Sequence, residues 1–140
     1  HERSSAASDV YKRQTYIDWP FMDGDIIPAG LFAMSPAVSN LFESHLTVQF
    51  NHRLVAYFLT GAVIWHLYRL TRAQASKPVL VSAALLVAAV LGQGVLGIVT
   101  LMNAVPLPLG AAHQLGAVLV LGLAITHLHY MRFPKMVTPR

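Results

Sequence analysis

Three long apolar runs, at about residues 47–68, 79–102 and 111–131, alternate with short polar or proline-rich breaks. Each supplies the roughly 20 apolar residues that a helix needs to cross a bilayer core. The second run, VLVSAALLVAAVLGQGVLGIVTLM, carries no charge at all. Pro78 opens it and Pro106 and Pro108 follow it, as helix boundaries should. The pattern therefore predicts three transmembrane helices. Upstream, residues 15–46 are punctuated by Pro20, Asp23-Gly24, Pro28, Gly30 and Pro36, which predicts an extramembrane segment built on turns. Within it, Ser35-Pro36 has the form of an N-cap and first helical position, opening a short helix towards Phe42. Residues 1–14 are polar, lack the apolar core of a signal peptide and resemble nothing that follows, so they read as an unrelated scar or disordered tail.

Composition strengthens the membrane reading. The chain has 140 residues, 55% hydrophobic and 11% charged, where soluble domains carry about 25% charged residues. All six acids (Glu2, Asp9, Asp18, Asp23, Asp25, Glu43) precede His52. The net charge of +4 thus reflects basic flanks on a membrane domain and not a nucleic-acid partner. Arg69, Arg72 and Lys77 lie between the first two spans, and Arg132, Lys135 and Arg140 follow the third, whereas NAVPLPLG between the second and third has no basic residue. By the positive-inside rule, 69–78 and the C-terminal tail (136–140) face inside, while 15–46 and 103–110 face outside.

With no cysteine, disulfides, thiolate metal sites and cysteine nucleophiles are excluded, and the seven histidines carry the candidate chemistry. His52 and His113 open spans one and three, which run the same way, so both sit at similar depth near the outer surface. An ionisable residue inside a membrane helix needs a partner. Two imidazoles at one depth on neighbouring helices suit the axial positions of haem iron, and Arg53 would pair with a propionate. Interhelical hydrogen bonding or interfacial anchoring accounts for the same pair. Zinc is disfavoured, because the spans offer no carboxylate or thiol to complete its shell.

His66 and His127 lie 14 residues beyond His52 and His113. That spacing keeps each pair on one helix face, about 21 Å apart. A second haem or snorkelling interfacial histidines would each explain it; His129 and His45 read as interfacial or loop residues. Ala84, Ala88 and Gly92, with Gly94 and Gly97, place small residues at helical spacing for close packing. Gln93 and Thr100 are polar within span two and suit either an interhelical hydrogen bond or a contact to a haem edge.

Two separated stretches carry a family resemblance. WPFMDGDIIPAGLFAMSPAVSNLFESHLTVQFNHRLVAY resembles the outer loop and following helix of the haem A synthase family, and GQGVLGIVTLMNAVPLPLGAAHQLGAV resembles that family's seventh-to-eighth helix region. The resemblance covers about residues 15–135. It implies an all-α membrane protein of eight helices in two four-helix halves, of which 47–135 would supply three helices of the second bundle. It also implies oxidation of the haem O C8 methyl to a formyl group, giving haem A for cytochrome oxidase. His52 and His113 match the ligands of a b-type haem, with Arg53 at a propionate and Gln114 beside the ligand. His66 and His127 match no ligand of the family. The catalytic residues and the haem O site belong to the N-terminal half, which this stretch does not match, so the chain alone should be inactive. Implied partners are membrane lipid, haem O synthase, an electron donor and a second copy of the chain. The host would be the bacterial plasma membrane or the mitochondrial inner membrane. A di-haem b-type cytochrome for electron transfer and a haem-free structural or transport protein are the competing readings.

Overall fold

The structure, a computed structural model, describes residues 16–133. The sequence readings on residues 1–14, on Lys135 and on the tail 136–140 therefore lie outside the described residues. Three long helices follow an irregular outer segment: α1 (His45–Arg72), α2 (Lys77–Met102) and α3 (Leu107–Arg132). Ser44 caps α1, its Oγ accepting from the Thr47 N–H at 3.3 Å and from the Thr47 hydroxyl at 3.2 Å. Prolines occupy the first turns of α2 and α3, where a missing N–H costs nothing. For that reason α3 starts at Leu107 and absorbs Pro108, which the sequence reading left in the loop.

The helices pack in sequence order. α2 lies against both α1 and α3, and the backbones of α1 and α3 make no comparable contact. Consistent with this, α2 has a buried stripe along its length: Val79, Ser82, Ala83, Leu86, Val90 and Thr100. Elsewhere the helices present leucine, valine, phenylalanine and tryptophan outward, among them Phe58, Trp65, Leu115 and Val118. So much exposed apolar surface around so small a core is what lipid, not water, would stabilise. Two helices, α2 and α3, are long and apolar enough to cross a membrane. α1 is longer, but its His52, Arg53, His66 and Arg69 make it more polar, and it falls short of the three spans expected.

The outer segment is tied down by side chains. Asp23 and Gly24, at φ 58° and 84°, form a two-residue turn closed by reciprocal backbone bonds between Met22 and Asp25. Residues Ala37–Leu41 form a 3₁₀ turn. Its cap position falls on Pro36 rather than Ser35, and no side chain caps it. Fully buried Asn40 holds it from inside, accepting from the Met34 N–H at 2.9 Å and donating to the Met34 and Ala37 carbonyls.

Candidate functional site: two histidine pairs between α1 and α3

Where α1 and α3 leave each other's backbone, four histidines bridge the gap. At the outer end the ring centroids of His52 and His113 are 6.3 Å apart, with ring planes at 76°. At the inner end the His66 and His127 centroids are 5.1 Å apart at 81°. The two pairs share a sequence offset, but their surroundings differ.

The inner pair is a closed hydrogen-bond network. His66 Nε2 and His127 Nε2 are 2.9 Å apart, and His127 Nδ1 is 2.8 Å from Ser82 Oγ. The Ser82 hydroxyl donates to the Val79 carbonyl at 3.0 Å. With that proton committed, His127 Nδ1–H donates to Ser82, and His127 Nε2 accepts from His66 Nε2–H. The ring nitrogens of His127 and the Ser82 hydroxyl then all have partners, as a lipid setting demands.

The outer pair has no such closure. His113 Nδ1 is buried with no hydrogen-bond partner. Its ring lies in a notch at Gly97 of α2, where a Cβ would fall 2.8 Å from Cε1 and 3.4 Å from Nδ1. A metal–imidazole bond is about 2.0–2.1 Å. The outer centroids, at 6.3 Å, leave more room between the rings than the inner ones, at 5.1 Å. The inner Nε2 atoms, at 2.9 Å, are closer than the roughly 4 Å that two such bonds span. Two imidazoles, one with its ring in a notch at Gly97 and a buried nitrogen unpaired, are a donor set that would fit haem iron.

The other expected site residues are placed differently. Arg53 faces the outer segment: Nη1 donates to the Phe21 carbonyl at 2.8 Å, and Nη2 to those of Asp18 (2.9 Å) and Tyr16 (3.2 Å). Its Nε is buried and unpaired. Arg53 belongs to a stripe on α1. One turn earlier, Gln49 exchanges hydrogen bonds with the Tyr16 backbone, and one turn later the Tyr57 hydroxyl accepts from Trp19 Nε1. Burial would raise the Asp18 pKa, but the N–H groups of Gly24, Asp18 and Asp23, with the Arg53 charge, outweigh it and leave the carboxyl below its usual range. Gln114 is exposed. The polar group reaching the His113 turn is Gln93 on α2, whose Nε2 donates to the His113 carbonyl at 2.6 Å. The stripe Ala84, Ala88 and Gly92 is exposed, and the packing glycines are Gly97 on α2 and Gly116 on α3.

Comparison with known proteins bears on this geometry. The family described as cytochrome oxidase assembly protein (COX15-CtaA) matches residues 7–125. A heme A synthase from Parvibaculum lavamentivorans is 51% identical over 114 residues, covering 81% of this chain and 32% of that protein. Those from Sinorhizobium medicae and Rhizobium meliloti are each 47% identical over 113 residues, covering 81% of this chain and 31% of theirs. The chain spans about a third of the length of these curated relatives. No solved structure matches it.

Proposed function

The chain belongs to the cytochrome oxidase assembly protein family, and from that premise we propose that it is the haem b-binding part of a haem A synthase. The complete enzyme would oxidise the haem O C8 methyl group to a formyl group, which takes up one oxygen at the level of water and passes four electrons and four protons to an acceptor outside this chain, in the half to which this chain does not correspond. A b-type haem, when bound, supplies one-electron chemistry at its iron. The observation that carries the reading is the His52–His113 pair, more widely spaced than the inner pair, with His113 Nδ1 unpaired and its ring in the notch at Gly97. His52 and His113 would hold the haem iron. Arg53, one position after His52, would keep a positive charge at the rim for a propionate while its Nη groups tie the outer segment. Gln114, exposed one position after the ligand, is the proposed residue beside it.

α1, α2 and α3 are read as three spans of the second bundle of an eight-helix protein. At about 1.5 Å per residue α1 is some 42 Å long, more than a 30 Å hydrocarbon core requires. Its first turns, with Gln49 and Arg53, can therefore stand in the outer interface and grip residues 16–22. The basic residues Arg69, Arg72 and Lys77 put the α1–α2 turn inside, in a bacterial plasma membrane or mitochondrial inner membrane. An electron donor, haem O synthase and a second copy of the chain are the proposed protein partners.

The test is haem content and ligation in the protein purified from membranes. His52→Ala and His113→Ala should each abolish the low-spin haem spectrum, with pyridine haemochrome giving one b haem per chain in the parent. Unchanged spectra in both variants would overturn the assignment. Two haems per chain, one of them lost in His66→Ala, would favour the di-haem cytochrome, a reading that the closed inner network does not favour.

A further inference from the structure

A metal-bound imidazole ordinarily owes its orientation to a hydrogen bond from its second ring nitrogen. His113 lacks that device, since Nδ1 is buried against Gly97 with nothing to donate to. Something else must fix the ring, and the α2–α3 interface shows what.

Along α2, Gln93, Gly97 and Thr100 fall on one face at intervals of one turn; along α3, Leu109, His113 and Gly116 do the same. The two rows meet in antiparallel register. Thr100 Oγ1 lies 3.4 Å from the Leu109 carbonyl, the His113 ring enters the Gly97 notch, and Gln93 Nε2 donates to the His113 carbonyl at 2.6 Å. Gln93 gets there by passing over Gly116, where a Cβ would overlap its Oε1 outright. Each helix thus puts a polar side chain into the other's glycine. His113 is held at two points: its ring by Gly97 and its backbone by Gln93. The helical carbonyl of His113 has a second lone pair free for such a bond.

We propose that Gln93 is a positioning residue for His113, fixing the rotation and height of the α3 turn that presents the imidazole towards α1. This rests on the reading of His113 as an iron ligand. Gln93 touches no haem atom in this scheme. It acts through the backbone of its neighbour, with Gly116 as the opening that lets it pass.

The test uses the haem-loaded protein purified from membranes. Gln93→Leu keeps the volume and removes the donor. The expected result is haem transfer to apomyoglobin roughly 10–100-fold faster, the range for lost orienting partners of metal ligands. The haem that remains should show a shifted low-spin electron paramagnetic resonance signal. Gly116→Ala, which evicts the Gln93 side chain, should give the same signature, and the double variant should be no worse than either single one. If Gln93→Leu only lowers the yield of folded protein and leaves the spectrum and retention of its haem unchanged, the residue is a packing group and the inference fails. That failure is separable from failure of the ligand reading, which would show as an unchanged spectrum in His113→Ala.

Discussion

Gly97→Ala is the sharpest single perturbation of the proposed site, because one methyl group meets one ligand ring. The added Cβ would lie 2.8 Å from His113 Cε1, 3.4 Å from Nδ1 and 3.5 Å from Nε2. Carbon atoms in contact settle at about 3.5–4.0 Å, so the ring must retreat by about 0.7 Å or more. Productive site geometry tolerates roughly 0.5 Å. Fold energetics move far less. Overpacking costs about 1–3 kcal/mol, and replacing a mid-helix glycine by alanine returns about 0.8–1.0 kcal/mol, leaving a net loss of about 0–2 kcal/mol. The expected outcome is a folded protein with near-parental thermal stability but a displaced axial ligand, seen as a high-spin component and faster haem loss. Gly94→Ala is the control: nothing lies within 4 Å of its Cβ position, so it should gain helix stability and leave the haem spectrum alone. A parental low-spin spectrum in Gly97→Ala would refute the cradle, and an identical change in Gly94→Ala would show that the helix and not the notch is being read.

Other consequences concern the ties around the site. Ser82→Ala strands the buried Nδ1–H of His127 and should cost about 1–3 kcal/mol in thermal unfolding, with the haem spectrum unchanged because the outer pair is untouched. Arg53→Ala removes the donor to three carbonyls of the outer segment; limited proteolysis within residues 16–25 should accelerate about tenfold or more, as loss of one charge-assisted hydrogen bond at about 1.5–3 kcal/mol implies. The Asp18 pKa is lower folded than unfolded, so its contribution is fully present above the unfolded value of about 3.9 and is lost as pH falls through the folded one. The protection factor of the Gly24 amide, its exchange relative to the intrinsic rate at the same pH, should therefore fall on acidification below about pH 4, and Asp18→Asn should flatten that dependence.

Helices were legible because hydropathy period and proline placement act locally. Proline in a first helical turn looks like a loop in sequence, which is why α3 reached back to Leu107. The small residues were legible only in part for a related reason: Gly97 does meet a neighbouring helix, at the His113 ring. Spacing places Ala84, Ala88 and Gly92 on one face, but only the neighbouring helices decide whether that face is used, and here it is exposed. Arg53 shows the same limit. Its charge and position suggest a propionate partner, but nothing in them foretells the carbonyls that it also meets, from residues 16–21, more than 30 positions away. Gln93 could be flagged as a polar residue in an apolar helix. Its target, a backbone carbonyl, leaves no trace in side-chain chemistry.

Why, then, should two histidine pairs with identical sequence offsets differ in chemistry? α1 and α3 repeat themselves: 14 residues separate the members on each helix, and both pairs face the same gap. α2 does not repeat. At the inner level it offers Ser82, a hydroxyl that fixes the proton on His127 and turns its Nε2 towards His66. At the outer level, 15 residues further on, it offers Gly97, which has no polar atom and only a hollow for the His113 ring. A hydroxyl in place of the hollow would complete a hydrogen-bonded network; the hollow keeps the two outer rings apart and their nitrogens uncommitted. On the proposed reading of the outer pair, the selection between a helix clasp and a metal clamp lies on the one helix that carries no histidine.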